Sequence, residues 1–363
     1  MGARKDSRTS YTCNILFAFS FVFLMLETYW QAILLGVVQG LTEFLPVSSS
    51  GHLAMTQQVL KLDPESSGLL LFDVATHVAT LAAVGVVFFG SLRRYVVRLA
   101  GDLRPSGSNR PWLMRAVAVR IALLGVAASV PTAAIGLVFK DQIEHAFGEP
   151  IYIGVGLLIT GTLLLITSRR TSARMGWRQF TFAAAVVVGV AQGLAIMPGI
   201  SRSGATICAA MLLGLRRRWA AEFSFFIAAP AILGATALKM RDMAELPADA
   251  LSGLPIGPIL VGCVAAFVVG IAALALLLHA VRRVRLTPFA VYCYAAGLAI
   301  LVAASTGCFN DASLFAFLIP CAGATSRTRS LALAARRFSS VGPLAGRRVN
   351  PVRDRPVRWW LGS

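Results

Sequence analysis

GVVQGLTEFLPVSSSG, residues 36–51, recurs without a gap as GVAQGLAIMPGISRSG, residues 189–204. The offset is 153, and eight of the sixteen positions are identical. Each copy begins as an apolar helix, breaks at a proline, runs through small hydroxyl residues and resumes at a glycine. Proline removes a backbone donor and ends the helix; serine is a favoured cap for the next one. Three apolar runs follow each copy: 69–89, 121–139 and 150–167 after the first, then 219–238, 255–278 and 289–305 after the second. Each run is long enough to cross a hydrocarbon core of about 30 Å as a helix.

Composition points the same way. The 363 residues are 57% hydrophobic and only 14% charged, with a mean hydropathy of +0.73. A soluble domain of this size needs far more charge to cover its surface. Strands are excluded because lipid offers no partner to an open sheet edge. The net charge of +18 does not describe a nucleic-acid surface. It lies at the termini and in short loops, the distribution that orients membrane proteins. Residues 91–120, 168–178, 216–218 and 282–285 hold seventeen arginines, whereas 61–67, 140–149 and 239–250 hold four basic residues. The first set is assigned to the cytoplasm and the second to the outside. The six cysteines stand singly, without a CxxC pair, and read as small packing residues.

Three spans between the copies is an odd number, so the second copy enters from the opposite side. Lys61, Asp63 and Glu65 follow the first broken segment, whereas Arg216, Arg217 and Arg218 follow the second. Each segment therefore returns to the side it came from. The expected fold class is an all-α polytopic membrane protein with an inverted-topology repeat, each half a re-entrant broken helix pair plus three transmembrane helices. Four regions result: an N-terminal extension (1–28), a first repeat (29–167), a second (168–305) and a basic tail read as disordered (306–363). The extension holds an apolar stretch from Cys13 to Leu26 and reads as a short span or a signal-type segment, with Met25 as an alternative start.

The chemistry is concentrated at the two breaks. Gln39 and Glu43 share a helix face at i and i+4, and a carboxylate inside a membrane is costly unless it meets a cation or a water-filled cavity. Ser48, Ser49 and Ser50 can cap the helix that restarts near Gly51, with His52 in its first turn. In the second copy, Pro198 and Gly199 end one half-helix, and Ser201 or Ser203 caps the next. Free N–H groups at that terminus, near Gly204, form an anion site. Arg202 adds a forked donor suited to phosphate oxygens, and Ser201, Ser203 and Thr206 add hydroxyls. With no partner nearby in sequence, Arg202 calls for an anion. The repeat brings the two breaks face to face. A carboxylate beside a polyanion site makes sense if a divalent metal lies between them, which suggests phosphoryl transfer from a lipid-borne phosphate. Glu222 reads equally as a site member or as the partner of an interfacial arginine. Asp73 and His77, also i and i+4, read as a structural hydrogen-bonded pair, and His145 and His279 as solvated.

These motifs resemble the undecaprenyl-diphosphatase family, the bacitracin-resistance type of bacterial membrane phosphatase. Its signatures, (E/Q)xxxE running into PVSSxGH and then PGxSRSxxT, stand here as Gln39 to Glu43, Pro46 to His52 and Pro198 to Thr206. The resemblance covers roughly 29–305. It implies hydrolysis of undecaprenyl diphosphate to the monophosphate and inorganic phosphate, aided by Mg2+ or Ca2+, in carrier-lipid recycling for the cell wall. It also implies a multi-pass protein of the bacterial inner membrane whose site faces the periplasm. Its partners would be undecaprenyl diphosphate and membrane lipid, with no nucleic acid and a homodimer left open. By position, Glu43 is the metal and catalytic carboxylate, with Gln39 as the second metal ligand. His52 is an acid/base or nucleophile beside Ser49. Arg202 binds the diphosphate, with Gly199, Ser201, Ser203, Gly204, Thr206, Ser48 and Ser50 around it. Gln39 stands where many members have a second Glu, and THVAT (76–80) lacks a glycine expected there. The alternative is a polyprenyl-phosphate transporter or flippase, because inverted repeats with broken helices are transporter architecture. The other lipid phosphatase superfamily shares SGH and SR fragments but needs a nearby downstream His and Asp; after Arg202 the next histidine is His279.

Overall fold

The computed structural model describes residues 28–306, apart from 65, 103–115, 170–173, 246–253 and 284–285. The N-terminal extension and the basic tail thus lie almost wholly outside the described residues. The described chain is helical; its one β feature is an isolated bridge between Met175 and Leu215. Helix α1 covers 28–44. It is followed by α2 (Ser49–Val59), α3 (Ser67–Val87), α4 (Phe89–Asp102), α5 (Val117–Val138), α6 (Lys140–Gly148) and α7 (Pro150–Arg169). The second copy opens α8 (Phe182–Leu194), then α9 (Arg202–Leu212), α10 (Arg217–Ala244), α11 (Ile256–Arg282) and α12 (Thr287–Ser305).

Helices α3, α5, α7, α10, α11 and α12 are long and apolar enough to cross a membrane. They are the six runs read from the sequence, each within a few residues except α10, which continues to Ala244. Their outer faces carry Val126, Val130, Val264, Val268, Leu298 and Val302 exposed, an apolar belt that only lipid covers well. The protein is a multi-pass membrane protein. Helices α2 and α9 have 11 residues each, about 16 Å of helix and half a hydrocarbon core.

Two stretches read as loops are helices. In α4 no residue is buried, and Arg93, Arg94 and Arg98 alternate with exposed Leu92, Val96 and Val97. This is an amphipathic helix of the kind that lies in the interface plane. The Asp102 carboxylate accepts from the Ala118 N–H at 2.8 Å, joining the end of α4 to the start of α5. The short α6 (140–148) carries the acidic loop residues Asp141 and Glu144. A charge count reports which side a loop is on, not whether its backbone is coiled.

The first helix of each half docks on a span of the other half. On α1, a Cβ added at Gly36 would lie 2.2 Å from the Gly262 carbonyl oxygen of α11. On α8, a Cβ at Gly189 would lie 2.1 Å from the Ala128 carbonyl oxygen of α5. Small residues let the backbones touch, which is how helices gain contact in lipid. The third spans, α7 and α12, pack along each other through Gly154 and Gly297. Gly36→Val is therefore expected to push α1 off α11. Overpacking typically costs about 1–3 kcal/mol; a lower thermal midpoint in detergent, with parallel loss of activity, is the check.

The buried core gathers around the two breaks. Phe44, Leu45 and Val47 from the first meet Ile207, Cys208 and Met211 of α9, with Ile153, Leu157, Phe223, Phe225 and Leu274 around them. Phe44 and Phe225 meet edge to face, with ring centroids 5.9 Å apart.

Candidate active site

Helix α1 ends at residue 44, and the chain turns through Pro46. Ser48 takes a positive φ of 69° and caps α2, its Oγ accepting from the Gly51 N–H at 3.4 Å. Ser49 is then the first residue of α2, folded back beneath the last turn of α1. In the second copy, Gly199 takes a φ of 85°, which a side chain rarely tolerates. Ser201 caps α9, its Oγ accepting from the Gly204 N–H at 3.1 Å. Arg202 is the first residue of α9 and occupies the repeat position of Ser49.

The two restarted helices converge on one carboxylate. Ser49 Oγ donates to Glu43 Oε2 at 2.7 Å, and the Arg202 Nη2 donates to Glu43 Oε1. Gln39 Nε2 adds a donor to Oε2 at 3.1 Å. From α3, His77 Nε2 stands 3.9 Å from Oε2, while its Nδ1 lies 2.6 Å from the Asp73 carbonyl oxygen. The Glu43 side chain is 3% exposed. A buried carboxylate is tolerable only with a cation and hydrogen bonds around it, and here both are present. The second half has Ile196 where the first has Glu43, so only the first copy of the repeat supplies a carboxylate at this position.

The breaks themselves touch. A Cβ on Gly51 would lie 3.3 Å from the Gly199 backbone, and one on Gly204 would lie 3.2 Å from Pro46. Behind them, Thr160 of α7 donates to the Gly199 carbonyl at 3.2 Å, and Cys293 of α12 donates to the Pro46 carbonyl at 3.4 Å. In this arrangement the buried carboxylate can accept a proton from the serine hydroxyl, and the guanidinium can bind an anion beside it. The family model described as bacitracin resistance protein BacA matches residues 32–299.

The chain belongs to the BacA family.

Its relatives include the undecaprenyl-diphosphatase of Carboxydothermus hydrogenoformans, 41% identical over 280 residues, which are 77% of this chain and 99% of the relative. Another, from Desulforapulum autotrophicum, is 39% identical over 279 residues, 76% and 98% of the two chains. That of Desulfosudis oleivorans is 43% identical over 274 residues, 74% and 95%.

Within this BacA-family site, the structure brings together Gln39, Glu43, Ser49 and Arg202. Arg202, expected to need an external anion, has Glu43 as its protein partner, 159 positions away in sequence. Ser201 and Ser203 share a hydrogen-bond distance of 3.2 Å, and Ser203 Oγ reaches the Leu45 carbonyl at 3.4 Å. Ser48 and Ser50 lie 3.4 Å apart through their hydroxyls. Other candidates sit differently from expectation. Thr206 turns its hydroxyl to the Arg202 carbonyl and to Ser224, because it lies on the inner face of α9. Gly199 packs against Ile153, and the Gly204 N–H is taken by the cap, so both are crossing points of helices. His52 has its two ring nitrogens at the Ser48 carbonyl and the Tyr292 hydroxyl, and not at Glu43. Glu222 takes the second of its two expected roles, pairing with Arg218 at 2.9 Å where the arginine-rich loops lie. Asp73 accepts from Gln57 at 2.9 Å rather than from the His77 ring.

His77 and Tyr292 are the residues that sequence reasoning undervalued. A signal existed for the first: Asp73, Thr76, His77 and Thr80 recur on α3 at helical spacing, and Thr76 and Thr80 are fully buried. Tyr292 is one of two tyrosines in an apolar span, with Tyr294, and left no such trace.

Proposed function

We propose that this chain is an undecaprenyl-diphosphatase, hydrolysing undecaprenyl diphosphate to undecaprenyl phosphate and inorganic phosphate. The observation that carries the reading is the convergence of Ser49 and Arg202, from two separate breaks, on the buried Glu43. Arg202 would hold phosphate oxygens through its second face while still neutralising Glu43. The Ser49 hydroxyl, already donating to Glu43, would attack the terminal phosphorus as its proton passes to that carboxylate. The anhydride bond breaks, and undecaprenyl phosphate leaves with its electron pair. Water then cleaves the phosphoserine, releasing inorganic phosphate and restoring the hydroxyl. A site buried among half-membrane helices lets a polyprenyl tail remain in lipid.

A divalent cation, Mg2+ or Ca2+, fits this site as a partner of the substrate more than of the protein. Among the described residues no cluster of three or more His, Cys, Asp or Glu is poised to hold a metal. Two groups are suitable: the Glu43 carboxylate, and Gln39 Oε1, which is buried with no hydrogen-bond partner among the described residues. Mg2+ in phosphate chemistry is commonly held by one or two carboxylates with phosphates and waters. When bound, it would cancel charge and polarise a phosphoryl oxygen. Chelation is expected to slow phosphate release roughly tenfold or more, and added Mg2+ or Ca2+ to restore it; a rate indifferent to chelator removes the cation from the reading.

Orientation follows from charge. Arg93, Arg94, Arg98, Arg174, Arg216, Arg217, Arg218, Arg282 and Arg283 belong to loops and helix ends assigned to the cytoplasm, whereas Lys61, Asp63, Lys140 and Asp141 belong to the other set. The two halves would then be inverted in a bacterial inner membrane, with the site open to the periplasm. The decisive experiment uses purified protein and a polyprenyl diphosphate. Release of inorganic phosphate, with a phosphoserine at Ser49 trapped by rapid quench and mass spectrometry, supports the reading. Flux of labelled lipid phosphate across liposomes without hydrolysis would instead indicate a flippase.

A further inference from the structure

Both ring nitrogens of His52 are engaged. Nδ1 lies 2.8 Å from the Ser48 carbonyl oxygen; a carbonyl only accepts, so Nδ1 carries a proton. Nε2 lies 2.6 Å from the hydroxyl of Tyr292 on α12, and the two rings are 18° from parallel. In neutral His52 the phenol therefore donates to Nε2, and in the protonated ring Nε2 donates to the phenol.

Tyr292 is a half-exposed residue, at 46%, on the lipid-facing side of a span. Its polar end turns inward because it finds a partner there. The flank it touches is the lightly covered one. Only Gly51, Leu53 and Gln57 are buried on α2, whereas eight residues of α9 are buried. Around the imidazole, among the described residues, stand the Tyr292 phenol from α12 and the backbone of Val47 and Ser48 at the break.

We propose that Tyr292 is a positioning residue for His52. The Ser48 carbonyl fixes the Nδ1–H tautomer, and the Tyr292 hydroxyl fixes the rotation of the ring and is the hydrogen-bond partner through which Nε2 takes up or releases its proton. This rests on the phosphatase reading. Tyr292→Phe keeps the ring and removes the hydroxyl. It is expected to lower kcat by about 10- to 100-fold, the range for outer-shell partners of functional histidines. KM should change little, and the pH limb that depends on His52 should move.

A mutant cycle separates positioning from packing. If Tyr292 acts through His52, adding Tyr292→Phe to His52→Ala costs nothing further; losses that add overturn the proposal. A second readout does not need turnover. Imidazole 15N NMR of histidine-labelled protein is expected to show His52 with Nδ1 protonated and Nε2 hydrogen-bonded, the Nε2 resonance moving in Tyr292→Phe while Nδ1 stays protonated. An unchanged spectrum in the variant overturns the proposal even if the protein hydrolyses nothing, whereas a shifted spectrum in inactive protein supports it and refutes only the phosphatase reading.

Discussion

Arg202→Ala is expected to leave no phosphate release above background, in a protein that still inserts in the membrane but unfolds at a lower temperature. The stability loss follows from Glu43, whose side chain is 3% exposed and which would lose its cation. Breaking a buried pair by removing one partner costs about 3–5 kcal/mol, because a charge remains without compensation. The loss of activity has a separate origin. The guanidinium is the group suited to hold phosphate oxygens as charge shifts in the transition state, and arginines in that role contribute on the order of 10³-fold or more. Arg202→Lys keeps the charge without the planar fork, so it should fall between the two. The double variant Arg202→Ala/Glu43→Gln, which has no orphaned charge, should regain much of the thermal midpoint and none of the turnover. Phosphate release by Arg202→Ala at more than a tenth of the normal rate would remove Arg202 from the site.

Glu43→Gln is the complementary case. The amide keeps the shape and can still accept from Ser49, but it cannot take up a proton. Removing a general base usually costs about 10²- to 10⁴-fold, and the same change takes away the charged oxygen proposed for the cation. Stability should fall less than in Arg202→Ala, because the Arg202 side chain is 20% exposed and keeps access to water. Steady-state release at saturating lipid, compared with the melting curve of the same preparation, separates the two effects. Turnover near the normal rate would show that the proton from the nucleophile goes elsewhere; His77, whose Nε2 lies 3.9 Å from Glu43 Oε2, is then the residue to test.

Much of this arrangement was legible in the residues. Proline followed by serines, twice, inside apolar segments leaves a helix little choice but to stop and restart, so α2 and α9 were readable as half-membrane pieces. The meeting of the breaks followed from the repeat, and the Glu43–Arg202 pair realises it. What was hidden depends on rotation about helix axes. Thr206 and Arg202 are four positions apart, yet one hydroxyl turns to Ser224 inside the bundle while the guanidinium reaches the crossing. His77 looked like half of a local pair with Asp73, because i and i+4 spacing is equally satisfied by a backbone bond one turn away. The helices α4 and α6 were lost in loops judged only by their charge. His52 was placed correctly in its turn, but the direction of its ring was set by Tyr292, 240 residues further on.

The docking of α1 on α11 has a bearing on biosynthesis. The groove that receives Gly36 is formed around Gly262, which leaves the ribosome only when most of the polypeptide has been made. Glu43 must wait in the bilayer, or at its edge, without the helix that will seat it and without Arg202. A nascent chain interrupted between α9 and α11 would hold both motifs of the site yet assemble no competent centre, so activity switches on late in insertion rather than growing with length.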